Sequence, residues 1–206
     1  RVTRIQPSPT ISISAKAKEL KQQGKEIINF SAGEPDFDTP DNIKNAAIKA
    51  IKEGQTKYTA VNGTKELNEA IIKKFKRENN LTFTPDEITV GCGGKQVIYN
   101  ALAATIEKGD EIIIPSPYWV SYPDMTLLVE GQPVVLDCSL KNNFKINPQD
   151  LENCITNQTK WIILNSPSNP TGALYSEIEL QNLAKILSKH PHVWIMCDDL
   201  YEHIIF

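Results

Sequence analysis

From about residue 86 onward, short all-apolar runs alternate with longer stretches whose apolar positions recur every three or four residues. Glu87-Ile88-Thr89-Val90 reads as a short strand running into Gly91-Cys92-Gly93-Gly94, followed by a helix over Lys95 to Glu107. Ile112-Ile113-Ile114, Pro133-Val134-Val135-Leu136, Trp161-Ile162-Ile163-Leu164 and Val193-Trp194-Ile195-Met196 read as further strands. Helical patterns fall between them, near Ser121 to Glu130, from Asn147-Pro148 to Cys154, and from Ser176 to Lys189. Apolar strands separated by helices mark a mainly parallel sheet covered on both faces. The expected class is α/β, built as a three-layer α/β/α sandwich.

The first eighty residues follow a different pattern. A helix is expected over Ser14 to Gln23, stopped by Gly24, then a short strand Ile27 to Phe30 and a long polar loop. Two amphipathic helices follow, near Asp41 to Glu53 and Thr64 to Glu78. The chain contains no internal repeat and no low-complexity segment.

Composition narrows the classes of function. Of 206 residues, 40% are apolar and 23% charged, ordinary values for a globular protein. Lys and Arg total 22 against 25 acids, so no basic surplus points to nucleic acid. No apolar stretch approaches a membrane span, and no signal pattern opens the chain. Cys92, Cys138, Cys154 and Cys197 are far apart, with three histidines beside them, which fits reduced thiols in a cytoplasmic protein. The chain begins on Arg1 and stops inside Ile204-Ile205-Phe206, whereas domain boundaries usually fall in polar, flexible segments. A slice of a longer protein is therefore expected.

In parallel sheets of this kind, ligands bind at the carboxyl ends of the strands. The polar and unusual residues of this chain collect at those ends. Strand 87–90 runs into Gly93-Gly94-Lys95, 112–114 into Pro115-Ser116-Pro117-Tyr118-Trp119, 161–164 into Asn165-Ser166-Pro167-Ser168-Asn169-Pro170-Thr171-Gly172, and 193–196 into Cys197-Asp198-Asp199-Leu200-Tyr201. A glycine turn opening a helix suits a phosphate, because first-turn N–H groups and the helix dipole favour an anion. A carboxylate after an apolar strand is expensive to bury unless it meets a cation, and Asp198 and Asp199 both qualify. Any one of these features alone is more often a plain turn or cap.

Taken in order, Gly-Gly-Lys-Gln, Pro-Tyr-Trp-Val-Ser-Tyr-Pro, Asn-Pro-Thr-Gly and Asp-Asp-x-Tyr resemble the class I aminotransferases of fold type I, which depend on pyridoxal 5'-phosphate. Gly33-Glu34-Pro35-Asp36-Phe37-Asp38-Thr39-Pro40 and Lys57-Tyr58-Thr59 are similar to two more segments of that family. The resemblance covers essentially the whole chain and is strongest to the bacterial aspartate and aspartate/prephenate branch. It implies that Gly93, Gly94 and Lys95 hold the cofactor phosphate and that Trp119 stacks on the pyridine ring. By the same resemblance, Asn169 and Tyr201 bind the ring oxygen, and Asp198, three residues before Tyr201, pairs with the ring nitrogen. Gly33, Trp119 and Asn169 would contact the substrate, with Asn169 holding its α-carboxylate. Lys95, with Ser8 and Thr10, would reach a distal carboxylate. Tyr58 would reach the neighbouring subunit's phosphate, which implies a homodimer with shared sites.

The resemblance further implies that residues 1–40 contribute to a small domain and that 41–206 form part of the large cofactor-binding domain. The family's cofactor-bonding lysine, the arginine that clamps the substrate α-carboxylate and a helper arginine near the cofactor phosphate are expected beyond Phe206, so no catalytic residue is assigned in this chain and the chain alone is expected to be inactive. The whole protein is expected to be a cytoplasmic enzyme transferring the amino group of L-aspartate to 2-oxoglutarate. Rivals on the same scaffold are a prephenate or aromatic aminotransferase and a C–S lyase. A rival from another class is the aminotransferase-like sensor domain of a transcription regulator, which the start pattern Arg4-Ile5-x-Pro7-Ser8 disfavours. Two geometric expectations follow. The bonds Ser116–Pro117 and Asn169–Pro170 are cis, and the strands at 112–114, 133–136, 161–164 and 193–197 pair in parallel. In the seven-stranded sheet that the resemblance implies, two further strands would separate strand 87–90 from 193–197.

Overall fold

The computed structural model describes residues 2–5, 8–31 and 33–206. Gln6 and Pro7 of the start pattern lie outside the described residues. The chain forms two compact units, one of Arg1–Ser8 with Ile98–Phe206 and the other Pro9–Val97.

The first unit is built on four strands, β1 (Glu111–Ser116), β2 (Gln132–Asp137), β3 (Thr159–Asn165) and β4 (Trp194–Asp198). All pair in parallel in the order β2-β1-β3-β4, as expected. Side chains alternate across a strand, and here both alternating sets are apolar, so both faces need cover. On one face Ile112, Ile114, Trp161 and Ile163 pack with Ile98 and Leu102 of α4 (Gly94–Thr105) and with Tyr122 and Met125 of α5 (Ser121–Leu128). On the other face Ile113 and Ile162 pack with Leu151 of α6 (Pro148–Cys154) and with Leu183 and Leu187 of α7 (Glu177–Leu187). This is the three-layer α/β/α arrangement. Each isoleucine of 112–114 is fully buried, and removing such a side chain from water stabilises by about 1.5–3 kcal/mol.

The helix starts obey local chemistry. Asn147 caps α6 by accepting from the N–H of Gln149 and Asp150, with Pro148 at the first helical position. Ser176 caps α7 in a reciprocal box with Glu179. The indole N–H of Trp161 donates to Thr105 Oγ1 at 2.9 Å, which fixes α4 on β3. Among the described residues, no helix is long and apolar enough to cross a membrane.

The second unit carries α1 (Pro9–Gln22), α2 (Asp41–Lys52) and α3 (Lys65–Lys74), the last continuing as a π-turn over Phe75–Asn79. Two strand expectations are corrected here. Residues 87–90 form no strand: Pro85–Glu87 is a 3₁₀ turn, and the N–H of Val90 donates to the carbonyl of Asn62 instead of to a sheet. Gly63 sits in that contact with φ +109°, and a Cβ there would lie 2.8 Å from Val90 Cγ2. Only glycine meets both demands. Residues 27–30 are also no strand, and Ile28 and Phe30 are exposed. Helix α1 starts at Pro9, five residues before the expected Ser14.

Candidate functional site

The carboxyl ends of β1, β3 and β4 bring four of the expected site residues into one unit: Trp119, Asn169, Asp198 and Tyr201. Asp198 is the last residue of β4 and stands in register with Asn165, the last of β3. The buried hydroxyl of Tyr122 donates to Asp198 Oδ2 at 2.6 Å. Asp199, by contrast, is exposed. Of the two candidate carboxylates, the strand end therefore presents Asp198 to the interior side.

Asn165 ties the rim together. Its amide N–H donates to the Asp198 carbonyl at 2.8 Å, and its amide oxygen accepts from the Asn169 N–H at 2.7 Å. One side chain thus joins the end of β4 to the loop that carries Asn169. The Ser168–Gly172 turn closes through a 2.8 Å bond from the Gly172 N–H to the Ser168 carbonyl. Ser116–Pro117 and Asn169–Pro170 are cis as expected, and Ser166–Pro167 is cis as well. Asn169 and Tyr201 line an open cleft of about 340 Å³. The Asn169 side-chain amide has no hydrogen bond among the described residues, so its donor and acceptor are available to a ligand in that cleft.

Trp119 is half-buried and meets Tyr122 edge-on, with ring centroids 5.3 Å apart and planes at 86°. Burial, reinforced by the Asp198 carboxylate, pushes the Tyr122 hydroxyl far above the ordinary phenol range. Tyr122 therefore keeps its proton and acts as the donor toward Asp198. Burial also raises the neighbouring Cys197 thiol, with Asp199 adding to it. That thiol stays neutral.

The other expected residues, apart from Ser8, belong to the second unit. Gly93 and Gly94 lie at the start of α4, and Gly93 has φ +88°, a conformation that side chains rarely adopt. A Cβ on Gly94 would meet nothing within 4 Å, so the approach to the main chain there is open. Lys95 is exposed in the first turn. Just before that turn, the Cys92 N–H donates to the Gln96 side-chain amide oxygen. Gly33 lies in an exposed loop and Tyr58 is fully exposed. Thr10 sits in the first turn of α1, and Ser8 just precedes it.

A strand-end carboxylate held by a buried phenol, a half-buried indole beside it and an unpartnered amide on the next loop suit a flat, protonated nitrogen heterocycle. Residues 25–206 match the model of the aminotransferase class I and II family. The chain belongs to that family.

Aminotransferases of this family depend on pyridoxal phosphate. The chain is 61% identical over 202 residues to a probable aspartate/prephenate aminotransferase of Rickettsia bellii, covering 98% of this chain and 51% of the relative. It is 58% identical over 205 residues to the aspartate/prephenate aminotransferase of Cereibacter sphaeroides, covering 100% of this chain and 51% of the relative. Among solved structures, the aspartate aminotransferase of Rhizobium meliloti superposes with a TM-score of 0.91 at 48% identity, over 98% of this chain and 53% of that one. The Thermus thermophilus aspartate aminotransferase with maleate gives 0.92 at 43% identity, over 96% of this chain and 51% of that one. This aminotransferase chain thus spans about half the length of the curated relatives it matches.

Two residues of the rim were not singled out from sequence. Tyr122 lay inside the quoted aromatic motif without a role, and its place three residues after Trp119 was the available signal. Asn165 ends an apolar strand, the same position that drew notice to Asp198.

Proposed function

We propose that this chain carries the cofactor-holding half of an aminotransferase, and that the whole protein moves the amino group of L-aspartate to 2-oxoglutarate. The observation that carries the reading is the Asp198 carboxylate, held at the end of β4 by the Tyr122 hydroxyl. Pyridoxal phosphate would supply an electron sink for the amino acid's α-carbon. Asp198 would keep the ring nitrogen protonated, Trp119 would cover the ring face, and Asn169 and Tyr201 would bind the ring oxygen. Gly93, Gly94 and Lys95 would hold the phosphate. Asn169 and Gly33 would orient the substrate α-carboxylate, with Lys95, Ser8 and Thr10 at its distal end. Tyr58, fully exposed here, would reach a phosphate in a second subunit of a homodimer.

In the whole protein, residues 1–40 would join a small domain and 41–206 the large one. A cytoplasmic location accords with four unpaired cysteines. A second acceptor, prephenate, is favoured by the names of the relatives. The test is to supply the full-length protein with L-aspartate and either 2-oxoglutarate or prephenate, and to follow oxaloacetate. Oxaloacetate with either acceptor supports the reading, and the ratio of the two kcat/KM values ranks the acceptors. Release of ammonia without oxaloacetate would indicate a lyase and overturn it.

A further inference from the structure

Tyr122 belongs to no part of the cofactor-contacting set, yet it touches two of its members. It is 2% exposed, packed in the core layer that contains Ile98, Leu102, Ile112 and Ile114. Its hydroxyl reaches Asp198 Oδ2 at 2.6 Å, and its ring stands edge-on to Trp119. The helix that carries it is anchored too: fully buried Thr126 donates to the Tyr122 carbonyl at 3.0 Å, and the Tyr122 N–H donates to the Trp119 carbonyl at 3.1 Å. A phenol has no soft torsion between its ring and its oxygen, so a packed tyrosine presents its donor at a fixed point. Asp198 is then held at three points: its carbonyl accepts from Asn165, its Oδ2 from Tyr122 at 2.6 Å, and its Oδ1 from the Leu200 N–H at a longer 3.4 Å.

We propose that Tyr122 is a positioning residue for the cofactor ring, its hydroxyl fixing the Asp198 carboxylate while its ring edge fixes the plane of Trp119. The inference rests on the reading that Asp198 pairs with the ring nitrogen. Without the hydroxyl, Asp198 keeps its main-chain tie and only the long 3.4 Å bond from the Leu200 N–H on its carboxylate, which gains freedom about χ1 and χ2. Ordering it would then be charged against cofactor binding. A hydrogen bond to a charged group makes the expected change about tenfold in affinity.

The experiment uses the full-length protein stripped of cofactor and titrated with pyridoxamine 5'-phosphate, which binds without a covalent bond. Four proteins are compared: the wild type, Tyr122→Phe, Asp198→Ala and the double variant. Phenylalanine fills the same space, so the melting temperature of the stripped Tyr122→Phe protein should stay within a few degrees of the wild type. Its Kd should rise about tenfold when Asp198 is present and less than twofold when Asp198 is alanine. Should Tyr122→Phe not accumulate in folded form, Tyr122→Leu takes its place, because a pure packing loss appears equally in both Asp198 backgrounds and cancels. An unchanged Kd for the Tyr122 variant, or an equal rise in both backgrounds, overturns the positioning role while leaving the Asp198 reading standing. An unchanged Kd for Asp198→Ala overturns the pairing itself, and the positioning role with it.

Discussion

In β1, Ile112, Ile113 and Ile114 are fully buried, whereas in α2 Ile43, Ile48 and Ile51 keep half or more of their surface exposed. Both segments are rich in isoleucine, and both were legible as elements from sequence. The strand finds cover within its own unit, where α4 and α5 lie on one face and α6 and α7 on the other. Helix α2 contains no buried residue at all. Amphipathic spacing states which face of a helix is apolar; it does not state that the cover is present in the same unit. The stability of this chain therefore resides mainly in the sheet unit.

The comparison breaks most easily at Ile162, which is fully buried on β3. Replacing it with alanine should cost about 2–5 kcal/mol in urea unfolding. A cost below about 1 kcal/mol would mean that the sheet core is loosely packed and that the contrast is false. A smaller effect is expected at Ser176, whose side chain accepts from the Glu179 N–H. Ser176→Ala should lower stability by about 1 kcal/mol and speed amide exchange in the first turn of α7 alone.

Glu179 sharpens the comparison by pH. Its bonds to the Lys145 ammonium at 2.8 and 2.9 Å, aided by Ser176, hold its carboxyl down at about 2, below the ordinary 4.5. A carboxylate with a depressed folded pKa contributes stability that is fully present above the unfolded value and lost as pH falls through the folded one. The loss should thus run from about pH 4.5 down to about 2 and vanish in Glu179→Gln. The group is largely exposed, so the amplitude should stay below about 1 kcal/mol. The smallest effect belongs to Ile48→Ala in α2, within about 0.5 kcal/mol for this chain. A cost equal to that of Ile162→Ala would show that α2 is buried in solution.

The sheet was legible because runs such as Ile112-Ile113-Ile114 leave no alternative to two-sided cover. The segment 87–90 has a strand's composition, but a strand exists only through its neighbour, and Val90 bonds to Asn62. The early start of α1 was hidden by Pro9, which is tolerated only because the first helical position needs no N–H. At the rim, Asp198 stood out as a charge at the end of an apolar strand. Tyr122 and Asn165 did not, because their roles arise from contacts 76 and 33 residues apart along the chain. Sequence pattern shows what a residue is and where its element ends. It does not show which distant side chain comes to meet it.

The most direct test of the account is the exchange of the α-proton of L-aspartate with deuterated solvent, catalysed by the full-length protein and by its Asp198→Ala variant. Each is saturated with pyridoxal phosphate, so that weaker cofactor binding does not enter the rate. If Asp198 keeps the ring nitrogen protonated, exchange should slow about a hundredfold or more in the variant. Exchange at the wild-type rate would contradict the account.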